Sequence, residues 1–290
     1  MSHIASLSFE KLKPILDRIG SEEKLGKSLD NLKLMFSLID LTSLNTDDTA
    51  DKIKKMCLKV NGIKDQFPGV PNVGAVCVYP SMVHAVKTNL LAEGVGIASV
   101  AAGFPSSQTF LQVKEMESKL AVDSGATEID IVISVGRFLD ADYEFMSEEI
   151  RKIREIISPA KLKVILETGL LSSPGQIYKA SVTCLQAGAD FIKTSTGKIQ
   201  PAATPEAVLV MCHALKDFFD ETGRKAGIKP AGGISTADEA LMYAGIIKST
   251  LGTDWLDPKL FRIGASRLAN QILSEISHLK SGIAEDVSYF

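Results

Sequence analysis

The chain is poor in the residues from which metal and redox sites are usually built. Its four histidines (His3, His84, His213, His278) are scattered, with no HxH or HExxH spacing. Three of them fall in segments that read as helices, which argues against a His-based catalytic metal site, so no metal and no cofactor is expected. The four cysteines (Cys57, Cys77, Cys184, Cys212) are far apart and form no CxxC pair. They read as reduced thiols rather than disulfides or zinc ligands. No run approaches the roughly 18 uninterrupted apolar residues of a membrane span. Neither sign of charge dominates: 32 Lys and Arg face 35 Asp and Glu, a net charge of −3. That gives no global attraction to nucleic acid or to an anionic membrane, and neither is expected as a partner. The first twenty residues, "MSHIASLSFEKLKPILDRIG", are charged and amphipathic, unlike a signal peptide, so the expected compartment is cytoplasmic.

What is there is an alternation. Short β-branched runs, "MFSLID", "VGAVCVY", "GIASVAAG", "EIDIVIS", "KLKVILET", "FIKTST", "IKPAGG" and "FRIGAS", are separated by helical segments such as "TADKIKKMCLKV" and "PEAVLVMCHALKDFF". Continuous apolar runs, rather than strict alternation, are the pattern of strands buried on both faces, as in a parallel sheet. Ser173-Pro174 and Thr204-Pro205 pair an N-cap hydroxyl with proline at the first helical position, and Thr236–Glu239 fits a capping box. Gly188, Gly223 and Gly252 stand where helices should stop. Eight such units predict an α/β protein with a (β/α)8 TIM barrel and extra N-terminal helices. An open doubly wound sheet usually announces itself with GxGxxG after the first strand, whereas "LIDLTSLN" has no glycine. We read 1–290 as a single domain, with 1–33 a helical extension closing the base of the barrel and 279–290 a flexible tail.

Barrel chemistry sits at the C-terminal mouth, so polar residues inside strands are informative. They are Asp40, Cys77, Asp130, Glu167, Lys193 and Lys229. Asp40 and Glu167 also read as turn caps or lysine partners, and Cys77 as a small hydrophobe. Asp130, flanked by isoleucines, needs a distant cation such as Lys193 or Lys229. A lysine with the ordinary pKa near 10.4 is mostly protonated at neutral pH, and lowering it to about 7 takes about 4 kcal/mol. A second ammonium about 5 Å away supplies roughly 3 kcal/mol at an effective dielectric of 20, and burial can supply the rest. Two lysines and an aspartate thus suit amine attack on a carbonyl, with an iminium as electron sink. Gly197-Lys198, Gly232-Gly233 and Gly264 cluster after the last three strands, where barrels cradle phosphate, and Ser266 adds a hydroxyl. Taken singly, each of these glycines also fits an ordinary tight βα turn.

These residues resemble the deoxyribose-phosphate aldolases, metal-free class I aldolases on a (β/α)8 barrel. The similarity runs from "LIDLTSLN" to "FRIGASRL", and "GADFIKTSTGK" and "KPAGGI" are its most specific pieces. The resemblance implies reversible cleavage of 2-deoxy-D-ribose 5-phosphate to acetaldehyde and D-glyceraldehyde 3-phosphate. It implies Lys193 as the Schiff-base lysine, Lys229 as the lysine that depresses its pKa, and Asp130 in a proton relay. Asp40, Thr42 and Cys77 would line the pocket near the sugar, and Gly197, Lys198, Gly232, Gly233, Gly264 and Ser266 the phosphate site. It also implies a homodimer and a role in deoxynucleoside breakdown. Two departures stand out. Arg267 occupies a position where some members carry a phosphate-binding serine. Some members also end in a tyrosine assisting proton transfer, whereas here Tyr289 is penultimate and Phe290 last. The alternatives are another Schiff-base sugar-phosphate aldolase or transaldolase, a non-catalytic aldolase-like binding protein, or a metal-dependent barrel.

Overall fold

In a computed structural model, residues 3–283 and 286–290 are described, and they form a (β/α)8 barrel. In chain order the elements are α1 (Phe9–Glu22), α2 (Leu29–Ser37), β1 (Ile39–Thr42), α3 (Ala50–Asn61), α4 (Ile63–Gln66), β2 (Ala75–Val78), α5 (Val83–Asn89) and β3 (Gly96–Val100). They continue as α6 (Leu111–Asp123), β4 (Glu128–Val132), α7 (Val135–Leu139), α8 (Tyr143–Ile156), β5 (Lys161–Ile165) and α9 (Pro174–Gln186). The last are β6 (Phe191–Lys193), α10 (Pro205–Thr222), β7 (Gly227–Lys229), α11 (Ala237–Leu251), β8 (Ile263–Ala265) and α12 (Leu268–Ser281). All strand pairs are parallel, and the sheet runs in sequence order from β1 to β7 with β8 beside β1. Between β7 and β8 the ring closes through the Ile228–Phe261 and Ala231–Gly264 bridges. Pro230, which has no N–H to give, still accepts from Gly264 there, at 2.9 Å.

The helix signals act as the sequence implies. Ser173, Thr204 and Thr236 each accept a backbone N–H in the first turn of their helices, and Thr236 and Glu239 complete a capping box. Gly223 ends α10 in the left-handed conformation. Apolar strand residues such as Ile129, Ile131, Leu162, Val164 and Ile192 meet the helix ring in one continuous core.

Three boundaries differ from expectation. Met35 and Phe36 belong to α2, because with Leu32 they form a buried i, i+3, i+4 stripe behind the Ser28 cap; the strand starts only at Ile39. The extension does not simply close the base. Phe9, at the start of α1, shares a cavity with the mouth-side Thr168 and Pro201. Glu23, just past the end of α1, pairs with Lys248 of α11 at 3.2 Å. α1 therefore runs along the outside of the helix ring against α10 and α11. Finally, α12 continues through residues 279–281, and 286–290 fold back along it; 284 and 285, within the expected tail, lie outside the described residues, as do 1 and 2 of the extension. Asn270 Oδ1 accepts from both Tyr289 N (3.0 Å) and Phe290 N (2.8 Å), which ties the end of the chain to α12.

Candidate active site

Parallel register stacks the charged strand residues inside the barrel: Asp130 lies beside Lys163, and Lys193 beside Lys229. Asp130 Oδ2 receives both Lys193 Nζ and Lys229 Nζ at 2.8 Å. Its other oxygen lies 3.3 Å from Lys163 Nζ without a well-aligned hydrogen bond. Below them, Asp40 pairs with Lys229 (2.5 Å), Lys163 (3.1 Å) and Arg262 (2.6 Å). Glu128 pairs with Lys163 and, at 3.1 Å, with Arg262. Asp40, Asp130, Lys163 and Lys229 are fully buried and Lys193 is 4 % exposed.

Four cations thus face three carboxylates in a buried space that meets the mouth only at Lys193. Such a network balances when one cation gives up its proton, since an uncompensated buried charge is costly. Burial opposes the charge on all four. Around Lys163, Asp130, Asp40 and Glu128 outweigh burial and hold its ammonium well above the ordinary range. Around Lys229, Asp130 and Asp40 do the same. Arg262 is held up by Asp40 and Glu128. Lys193 goes the other way: burial drives it down, Asp130 resists, and the Lys229 charge adds to burial. Asp130 and Asp40 stay ionised, because their cations overcome the desolvation that would otherwise raise them. Of the four cations, Lys193, nearest the mouth, is thus the lysine whose charged form the arrangement disfavours.

Lys193 opens into a cavity of about 260 Å³ whose wall includes Thr42, Leu44 and the βα turns at Thr196–Lys198, Ala231–Gly233 and Gly264–Ser266. Gly197, Gly232 and Gly233 have φ of +80°, +89° and +82°, where side chains are strained. A Cβ on Gly232 would stand 2.6 Å from Ala202 Cβ and 3.1 Å from Gly197 Cα, so the two turns meet only as glycines. The backbone N–H groups of Gly197, Gly232, Gly233 and Ser266 have no acceptor among the described residues. Backbone donors gathered in this way make an anion cradle. Lys198 Nζ crosses the mouth to donate to Leu44 O at 2.7 Å. Leu44 of the cavity wall also belongs to a buried apolar cluster with Cys77, Ala98 and Val100, against which Tyr79 and Phe104 pack.

Of the residues singled out in the sequence, Lys193, Thr42, Gly197, Lys198, Gly232, Gly233, Gly264 and Ser266 line this cavity, and Asp130 and Lys229 lie directly beneath Lys193. Asp40 is engaged in the buried network and is not part of the cavity wall. Cys77 is wholly buried, its thiol pushed up chiefly by burial. Tyr289 is outside the mouth. Its ring packs edge-on against Phe67 at 5.2 Å and its hydroxyl donates to Lys59 O at 2.8 Å, on the outer side of α3. Arg267 is exposed at the start of α12. Three members of the network, Lys163, Glu128 and Arg262, were not singled out in the sequence. The signal was present in "KLKVILET", a lysine inside an apolar strand as conspicuous as Lys193. Among the described residues no group of three or more His, Cys, Asp or Glu is arranged to hold a metal ion.

A parallel barrel with a desolvated lysine above a carboxylate, facing a cluster of free backbone donors, is the arrangement that amine attack on an anionic carbonyl compound calls for. The chain belongs to the DeoC/LacD family of aldolases, whose family model matches residues 34–250. It is 44% identical over 256 residues to the deoxyribose-phosphate aldolase of Homo sapiens, covering 85% of this chain and 80% of that protein. An aldolase of known structure, QR15, superposes with a TM-score of 0.69 at 28% identity, covering 85% of this chain and 97% of that one. The deoxyribose phosphate aldolase of Aeropyrum pernix, described as tetrameric, shares the fold with a TM-score of 0.69 at 23% identity, covering 93% and 99%.

Proposed function

We propose that this chain is a deoxyribose-phosphate aldolase, cleaving 2-deoxy-D-ribose 5-phosphate to acetaldehyde and D-glyceraldehyde 3-phosphate through a Schiff base on Lys193. The observation that carries the reading is the charge imbalance of the buried network, which falls on Lys193 at the floor of a cavity ending in an anion cradle.

The neutral Lys193 amine attacks the C1 aldehyde carbon, and loss of water leaves an iminium. Removal of the C3 hydroxyl proton then breaks the C2–C3 bond, and the electron pair flows into the iminium to form an enamine. Glyceraldehyde 3-phosphate leaves, C2 is reprotonated, and water releases acetaldehyde. Lys229 keeps the Lys193 amine neutral before attack, and Asp130 faces the nitrogen whose charge changes at each step, so it can stabilise the iminium and move protons. The phosphate takes the free N–H groups of Gly197, Gly232, Gly233 and Ser266, with Lys198 turning to it from Leu44 O. The apolar side chains of Leu44 and Ala231 in the cavity wall suit the two-carbon fragment. The cytoplasm, a homodimer, and carbohydrate and deoxyribonucleotide catabolism go with this reading; no helix of the described residues is long and apolar enough to cross a membrane.

Turnover of deoxyribose 5-phosphate against ribose, fructose and sedoheptulose phosphates tests the assignment. Preferred cleavage of the deoxy sugar supports it. High activity confined to a ketose phosphate would overturn it.

A further inference from the structure

Glu167 follows β5, is 2 % exposed, and adopts φ +53°, ψ +57°. A bulky residue in this left-handed region is strained, so something must hold it. Its neighbours on either side do: Leu166 N donates to Lys193 O and Thr168 N to Thr194 O, both at 2.9 Å. The chain thus continues alongside the segment after β6, with Glu167 turned out of register between two anchors.

The turn delivers a carboxylate to an unusual place. No Lys, Arg or His among the described residues forms an ion pair with Glu167. Its oxygens instead accept from Thr196, Oε1 from the backbone N–H at 3.2 Å and Oε2 from the hydroxyl at 2.6 Å. Thr196 Oγ1 in turn accepts the backbone N–H of Lys198 at 3.1 Å. Two of the three amides in the turn 196–198 are thereby engaged, and only that of Gly197 is left without an acceptor among the described residues. A buried carboxylate without a cation is expensive. A single structural cap would be served by a neutral side chain at lower cost. Holding a turn whose free amide must meet an anion is a reason to keep the carboxylate.

We propose that Glu167 is a positioning residue for phosphate recognition: through Thr196 it fixes the turn so that the Gly197 amide and Lys198 face the phosphate. This rests on the phosphate-cradle reading given above. Glu167 does not itself line the cavity and forms no ion pair with the Lys193 network; it reaches the wall only through Thr196, so its effect is expected at the phosphate end and not in the chemistry.

The test is the ratio of kcat/KM for deoxyribose 5-phosphate to that for unphosphorylated deoxyribose, in the wild type, Glu167→Gln, Thr196→Val and the double variant, with thermal melts to confirm folding. Glutamine has one acceptor oxygen where Glu167 uses two, so it cannot keep both Thr196 contacts in this geometry. The ratio is expected to fall about tenfold in each single variant, mainly through KM for the phosphorylated sugar, and no further in the double, since both act through one relay. Thr196→Ser is expected to restore the preference that Thr196→Val loses. Equal losses on both sugars, an unaltered ratio, or additive losses in the double variant would overturn the proposal. If Glu167→Gln does not fold, the Thr196→Val and Thr196→Ser pair decides. A wild type without preference for the phosphorylated sugar would instead defeat the cradle reading itself.

Discussion

At the residue scale, the decisive fact is that Lys193 has company. Burial lowers its pKa most, Asp130 resists, and Lys229, sharing the same carboxylate oxygen, adds to the lowering. Replacing Lys229 with leucine removes that repulsion. The pKa of Lys193 then rises, and the pH profile of kcat/KM is expected to move to higher pH; an unmoved profile would show that Lys229 has no electrostatic role. Lys163→Met removes a cation from the tier below and leaves as many carboxylates as cations, so Lys193 is again expected to stay charged to higher pH. The same substitution strips a partner from Asp40, Glu128 and Asp130, a loss of about 3–5 kcal/mol for a broken buried pair, visible as a lower Tm. Lys193, Lys229 and Asp130 were legible because a charge inside an apolar strand demands a reason. Lys163 carried the same signal and needed the fold to show its partners, since its contacts span 35 and 123 residues of sequence.

At the scale of elements, the mouth loops are set by a second buried group unconnected with the first. Lys114 of α6 donates to Ser107 Oγ (2.7 Å), Ser134 Oγ (2.9 Å) and Glu149 Oε1 (2.6 Å), and Ser134 donates to Glu149 Oε2 at 2.8 Å. All three ammonium protons are used, and one side chain joins the loops after β3 and β4 to α6 and α8. Lys114→Ala leaves Glu149 buried without its cation, with only the Ser134 hydroxyl donating to it, so a loss of about 3–5 kcal/mol is expected in denaturant melts. A loss under 1 kcal/mol would mean that the clamp is incidental. None of this was readable beforehand, because Lys114 lies on a helix, where a lysine normally faces water. The helix caps were readable, since capping is local chemistry at fixed spacing. The start of β1 was misread because "MFSLID" suits strand and buried helix equally, and the cap at Ser28 decides between them.

At the scale of the whole molecule, the repeating strand–helix pattern and the glycine turns were enough for the barrel, whereas the path of α1 and of residues 286–290 depends on packing against distant helices. The buried network also sets a pH window for stability. Asp40 and Asp130 are held below the unfolded value near 3.9, so their contribution is complete above about pH 4 and is lost as the pH falls through the lowered folded values. Lys163 and Lys229 are held above about 10.4, so theirs is complete below that pH and is lost as the pH rises through the raised folded values. Lys193 has the opposite sign: held below about 10.4, it lets stability rise with pH between its lowered folded value and about 10.4. Thermal melts are therefore expected to fall on the acid side and to climb toward mildly alkaline pH. Asp130→Asn should lower the whole curve and soften the acid limb. An acid limb of the same steepness would assign acid unfolding to other carboxylates.

The central claim is that Lys193 forms a covalent imine with the sugar. Incubation with deoxyribose 5-phosphate and borohydride, followed by peptide mass mapping, tests it most directly. The account predicts a reduced two-carbon or sugar-derived adduct on Lys193, lost in Lys193→Ala. An adduct on Lys229 alone, or none in folded protein that cleaves the sugar, would contradict it.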